Sequence, residues 1–167
     1  SRYEQQFKYI LIDEFQDTNF AQNELAILLA GKRQNVCVVG DDDQAIYKFQ
    51  GAEISNIHSF KELYSDVEVI VLTENYRSTQ KVLDFARAIV VQGVNRLETR
   101  YKEIRKDLVA KNNKLDAGNI HTLAFPTSEE ECTYIAQEVA KLLKKKVKAK
   151  EIALIAREHK QLISLLP

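Results

Sequence analysis

The sequence predicts an α/β protein: a parallel sheet with flanking helices. Three observations point there. Apolar runs of strand length alternate along the chain with segments of helical periodicity. The runs are nearly continuous rather than alternating, which suits parallel strands covered on both faces. Their succession is β-α-β-α-β-α, the order that builds a parallel sheet through right-handed crossovers. Composition agrees, with 45% hydrophobic and 29% charged residues, as in a globular chain.

The first strand is "FKYILID", Phe7 to Asp13. Thr18 or Asn19 then caps a helix whose inward face is read as Ala21, Leu25, Leu28 and Leu29, stopped by Gly31. "NVCVVGD", Asn35 to Asp41, is the second strand, and Cys37 within it reads as a small core residue. Ile54, Ile57, Phe60 and Leu63 mark a second helix, and "VEVIVLT", Val67 to Thr73, a third strand. Ser78 or Thr79 caps a third helix with Val82, Ala86, Ile89 and Val90 on one face. Beyond Gly93 the pattern weakens into a charged stretch without a clear core stripe, read as a connector with some helix. Order returns with the strand "NIHTLAF", a helix from about Ser128 to Lys145 with Ile135, Val139, Leu142 and Leu143 inward, the strand "IALIA", and a last helix toward Pro167.

Charge and cysteine usage bound the function classes. Twenty-four basic residues balance 24 acidic ones, so any nucleic-acid surface must be local. Two cysteines offer no disulfide framework, which points to a reducing, cytoplasmic compartment. No run approaches the roughly 18 apolar residues of a membrane span. His58, His121 and His159 lack metal-ligand spacing, and the six lysines between Lys141 and Lys150 read as a solvated helix end. The chain has no methionine and opens only a few residues before a strong strand signal, so an internal piece of a longer protein is expected.

The chemistry gathers at three strand ends. In open parallel sheets, ligands bind outside the carboxyl edge. Asp13 and Glu14 end the first strand there. Adjacent carboxylates can divide labour, one holding Mg²⁺ and the other orienting or deprotonating a water. Taken alone, the pair reads as a solvated strand end with a helix-capping acid. Asp41 ends the second strand, and Gln44 offers a neutral amide for a phosphate or an attacking water. Tyr76, after the third strand, offers a ring for a base, and Arg77 a fork for phosphate oxygens. Singly, Gln44 reads as a turn residue, Tyr76 as core and Arg77 as a surface ion pair; their coincidence at one edge favours a nucleotide site.

Three motifs, "ILIDEFQDTN", "VVGDDDQAIYKFQGA" and "LTENYRST", resemble in order and spacing those of the UvrD/Rep family of superfamily 1 DNA helicases. "RKDL", "SEEECTYIAQEVAKLL" and "IALIAR" extend the resemblance more weakly over nearly the whole chain. The resemblance implies a P-loop NTPase motor core of two RecA-like domains with ATP and Mg²⁺ between them. It implies an ATP-dependent 3′-5′ DNA helicase or translocase, serving DNA repair and related work on single-stranded DNA and duplex/single-strand junctions. Residues 1–95 would then be the later part of the first motor domain, 96–118 a connector, and 119–167 the start of the second.

Residue by residue, the resemblance implies Asp13 for Mg²⁺, Glu14 as catalytic base, and Gln44 on the γ-phosphate. It implies Tyr76 stacking on adenine and Arg77 on the γ-phosphate. Tyr47 and Phe49 would stack on bases of single-stranded DNA; the competing reading is that they anchor their loop. The acids and Gln44 would thus face nucleotide, and the aromatics just beyond them DNA. Two positions depart from the family: Phe49 stands where tryptophan is usual, and Gln50 where arginine is usual. No G-x-x-x-x-G-K-[ST] phosphate loop occurs, since "AGKRQ" lacks the first glycine and the hydroxyl. The chain by itself is therefore expected to be inactive, and its strand edge to pair with a second copy. Two alternatives stand beside the helicase: the motor part of a RecB-like helicase-nuclease, and a non-hydrolysing nucleotide- or DNA-binding module.

Overall fold

A computed structural model describes residues 2–45, 55–64, 66–94, 96–113, 118–163 and 165. The backbone gathers into two compact units, Ser1–Asn119 and Ile120–Pro167.

In the first unit, helix α1 (Arg2–Gln6) leads into strand β1 (Ile10–Ile12). Helix α2 (Phe20–Ala30) returns the chain to strand β2 (Val36–Val38). The two strands pair in parallel, Ile10 with Val36, Leu11 with Cys37 and Ile12 with Val38. Helix α3 (Ser55–Leu63) follows, then strand β3 (Glu74–Asn75), helix α4 (Gln80–Val90), the short helix α5 (Leu97–Arg100) and strand β4 (Val109–Ala110). β3 and β4 form a second parallel pair, Glu74 with Val109 and Asn75 with Ala110. The chain is thus α/β with small parallel sheets.

Several expectations are corrected here. One continuous three-stranded sheet is not formed among the described residues; β1–β2 and β3–β4 are separate pairs. The run Val67 to Thr73 carries no strand ladder among the described residues, because no described strand lies alongside it; pairing begins just after it, at Glu74. Nor are β1 and β2 covered on both faces. Their middle residues, Leu11 and Cys37, are both exposed, because cross-strand partners share a sheet face and that face is bare. Cys37 is therefore not a core residue.

The helix faces shift as well. α2 buries Ala26 and Ala30 and leaves Leu25 and Leu28 exposed. It is apolar on nearly all sides, so periodicity alone does not choose the inward face. In α4 it is Leu83 that is buried, while Val82 and Ile89 are exposed. The packed interior centres on Phe15, which is 0% exposed and meets the Phe60 ring edge-on at 5.7 Å. The connector joins this interior. Ile104 and Arg96 are buried, and Lys61 of α3 bonds Glu103 at 2.8 Å with its ammonium 4.2 Å from the Tyr101 ring centre.

In the second unit, helix α6 (Ser128–Lys144) starts at Thr127, whose hydroxyl accepts the Glu130 N–H at 3.2 Å. Glu129, Glu130 and Glu131 fill the first turn and Lys141 and Lys144 the last, complementing the helix dipole. Phe125 packs on Tyr134 with ring centres 5.2 Å apart. A short helix α7 (His159–Ile163) closes the unit. The runs expected as strands here have no ladder partner among the described residues. Among those residues no helix is long and apolar enough to cross a membrane.

Candidate functional site

The parallel pairing of β1 and β2 continues past both strands. The Val39 N–H donates to the Ile12 carbonyl at 2.8 Å, and the Phe15 N–H to the Val39 carbonyl at 2.9 Å. This brings Asp13 and Glu14 beside Gly40 and Asp41. Between them the backbone turns sharply: Glu14 has φ 48° and ψ 44°, the left-handed region that non-glycine residues seldom occupy. Such a conformation costs on the order of 1 kcal/mol and persists only where the surroundings impose it. Here buried Phe15 on one side and the Glu14 N–H to Asp13 Oδ1 bond (2.9 Å) on the other impose it.

Gln16 is the residue that sequence reasoning missed. It is 1% exposed. Its Nε2 donates to Glu14 Oε2 at 2.7 Å, and its Oε1 accepts the Asp41 N–H at 3.0 Å. Asp41 Oδ2 in turn accepts from Gln44 Nε2 at 2.8 Å. A hydrogen-bonded chain thus runs Glu14–Gln16–Asp41–Gln44 across both strand ends. The signal was an amide set among acids in "DEFQD", since only an amide can donate to one neighbour and accept from another.

Asp41 also belongs to a second cluster, with its neighbours Asp42 and Asp43. Asp41, Asp42 and Asp43 bring carboxylate oxygens within 4.8 Å of one another. The Lys106 ammonium meets all three, at 2.8 Å for Asp42 and 2.7 Å for Asp43, and Asp41 closer still. The Arg96 fork grips Asp43 at 2.6 and 2.7 Å, and the Leu97 N–H donates to Asp42 Oδ2 at 2.7 Å. Arg96 also pairs with Glu98, which is bonded to Arg87. Burial pushes the Asp43 carboxyl up, but Arg96 and then Lys106 outweigh it and hold the group at about 2. Burial likewise opposes the charge on Lys106, and the three carboxylates overcome it and raise its pKa. The oxygens that could have gathered a divalent ion are committed to a side-chain ammonium.

Tyr76 and Arg77 follow β3 and are both exposed. The Tyr76 hydroxyl donates to Glu74 Oε2 at 2.7 Å, which raises the hydroxyl pKa and lowers that of the carboxyl. Asn75 Oδ1 accepts the N–H groups of Arg77 (3.0 Å) and Ser78 (2.8 Å), the turn that launches α4. Among the described residues no hydrogen bond or ion pair joins Tyr76 or Arg77 to Asp13, Glu14 or Gln44. The structure therefore brings together Asp13, Glu14, Asp41 and Gln44, and places Tyr76 and Arg77 on the other strand pair. Tyr47 and Phe49 lie outside the described residues.

Residues 1–65 match the profile of the UvrD/REP helicase N-terminal domain, and residues 70–166 that of the UvrD-like helicase C-terminal domain. The chain belongs to the UvrD/Rep helicase family. Among the relatives of this UvrD/Rep chain, the ATP-dependent DNA helicase PcrA of Staphylococcus epidermidis (strain RP62A) is 38% identical over 159 residues. That match covers 95% of this chain and 21% of the relative. The ATP-dependent DNA helicase PcrA of Staphylococcus aureus (strain Mu50) is 36% identical over 159 residues, covering 95% of this chain and 20% of the relative. The chain spans about a fifth of the length of the curated relatives it matches. The two UvrD/Rep profiles meet between residues 65 and 70, whereas the compact units meet at 119.

Proposed function

We propose that this chain supplies the hydrolytic edge of an ATP-dependent 3′-5′ DNA helicase motor, a RecA-like core that couples ATP turnover to movement on single-stranded DNA and at duplex junctions. Family membership supports the reading. The observation that carries it is the chain Glu14–Gln16–Asp41–Gln44, which fixes a carboxylate and an amide at adjacent ends of parallel strands.

Asp13 is an exposed carboxylate with one oxygen on the Glu14 N–H and no described bond at the other, so its hard oxygen suits Mg²⁺. When bound, that ion supplies charge neutralisation at the phosphates. Glu14 would take the proton of the attacking water, its carboxylate aimed by Gln16. Gln44 would touch the terminal phosphate or that water, steadied by Asp41. Tyr76 would stack on adenine and Arg77 would reach the γ-phosphate, once β3 is brought to the same crevice. Tyr47 and Phe49 would line the DNA path. These residues lack a phosphate cradle, so the 167-residue chain alone should bind Mg-ATP weakly and hydrolyse none.

The test is Glu14→Gln in the full-length protein. Turnover should fall about 10²- to 10⁴-fold while ATP affinity changes little, as expected for loss of a positioned base. Near-normal turnover would remove Glu14 from the chemistry.

A further inference from the structure

A dense cluster of charge among the described residues shares Asp41 with the candidate site. It joins segments far apart in sequence: Lys106 is 65 residues from Asp41, and Arg96 is 53 from Asp43. Both cations come from the charged connector, Lys106 within its "RKDL" segment. Both are largely buried, with side chains 15% and 8% exposed. An exposed connector would leave such long side chains in water.

The connector touches both halves of the candidate site. At its start, Arg96, Leu97 and Lys106 hold the Asp41–Asp43 loop. Three residues on, Val109 and Ala110 pair with Glu74 and Asn75. The Val109 N–H donates to the Thr73 carbonyl at 2.8 Å, and the Lys111 N–H to the Asn75 carbonyl at 2.7 Å. Asn112 Nδ2 reaches the Tyr76 carbonyl at 3.1 Å. One strap therefore binds the loop that carries Gln44 and the turn that carries Tyr76 and Arg77.

Asp41 shows how the strap reaches the chemistry. Its Oδ1 accepts from the Lys106 ammonium and the Asp43 N–H, while its Oδ2 accepts from Gln44 Nε2. The Gln44 N–H also donates to the Asp41 carbonyl at 2.9 Å. Remove the ammonium, and three carboxylates face one another with one cation fewer between them. Like charges so close repel, and the loop must open to let water in. Gln44 then loses its fixed partner.

We propose that Lys106 is a positioning residue for ATP hydrolysis: clamped among Asp41, Asp42 and Asp43, it holds Gln44 in place and ties that loop to the strand bearing Tyr76 and Arg77. This rests on the helicase reading above. A residue that positions groups for the transition state changes turnover and leaves ground-state binding nearly untouched.

The experiment uses the full-length protein with Lys106→Met and Lys106→Arg, measuring DNA-stimulated ATPase and amide hydrogen exchange. For Lys106→Met, kcat should fall about 10- to 100-fold, the size of effect that misplacing a reacting partner produces, with KM for ATP within about twofold. Exchange of the Asp43, Gln44 and Ala45 amides should quicken while α2 stays protected. Lys106→Arg should recover most of kcat, because it returns the charge to the clamp. Unchanged kcat, or a rise in KM alone, would overturn the proposal. So would faster exchange throughout α2 with no recovery in Lys106→Arg, since the lysine would then merely hold the fold together. Should the wild-type protein show no DNA-stimulated ATPase, the helicase reading falls by itself. Exchange then decides the clamp: quickening confined to the acidic loop upholds it, and none overturns it.

Discussion

Asp43 is gripped by both Arg96 and Lys106, and its protonation should report on the acidic loop. Its pKa is about 2, against an ordinary 3.8. A carboxyl depressed on folding contributes stability that is fully present above its unfolded pKa. That contribution is lost as pH falls through the folded value. The window is therefore pH 4 down to pH 2. A contribution on the order of 1–2 kcal/mol is expected, allowing for the little exposure the group retains. Urea midpoints measured across that window should fall for the parent chain, and fall less steeply for Asp43→Asn, which has no proton to gain. Equal slopes would show that the Arg96 fork contributes nothing that pH can remove. At this same scale the sequence was half readable. Asp13, Glu14 and Gln44 stand out because they follow strand ends in an acid-rich motif. Gln16 and Lys106 do not, because their partners are set by the pairing of strands and by contacts more than 60 residues away. Sequence spacing carries no trace of such contacts.

Helix α2 shows what an element's own chemistry settles. Asn19 closes a capping box: its Oδ1 accepts the Gln22 N–H at 3.0 Å, and Gln22 Oε1 accepts the Asn19 N–H at 2.9 Å. Thr18, the other candidate cap, instead donates to the Phe15 carbonyl at 2.6 Å. Asn19→Ala should thus cost about 1 kcal/mol, the usual loss for a polar N-cap. Thr18→Ala should cost less, and chemical denaturation of the two variants would rank them. The positions of α2, α4 and α6 were legible because periodicity and capping are local. Their inward faces were not, because Leu25 and Ala26 are both apolar and only tertiary packing chooses between them. Val67 to Thr73 fails as a strand for a related reason. Its composition favours extension, but a ladder needs a neighbour, and β4 is too short to offer one beyond Thr73.

For the whole molecule, much apolar surface remains open. Leu11, Ile70 and Leu72 are each at least 74% exposed. Patches of that kind, together with unpaired strand edges, promote association. Light scattering of the 167-residue chain should show a mass that rises with concentration, and Leu11→Lys should lower it. A constant monomer mass in both would count against the expected pairing with a second copy.

Leu11 and Cys37 stand side by side on the bare face of β1–β2, and the second of them is a thiol. The protein therefore carries its own chemical footprint. Alkylation at Cys37 should be quick while the face is open and slow once anything settles over it. The rate of maleimide addition at Cys37, followed by peptide mass spectrometry that separates it from Cys132, would time that covering without a label having to be introduced.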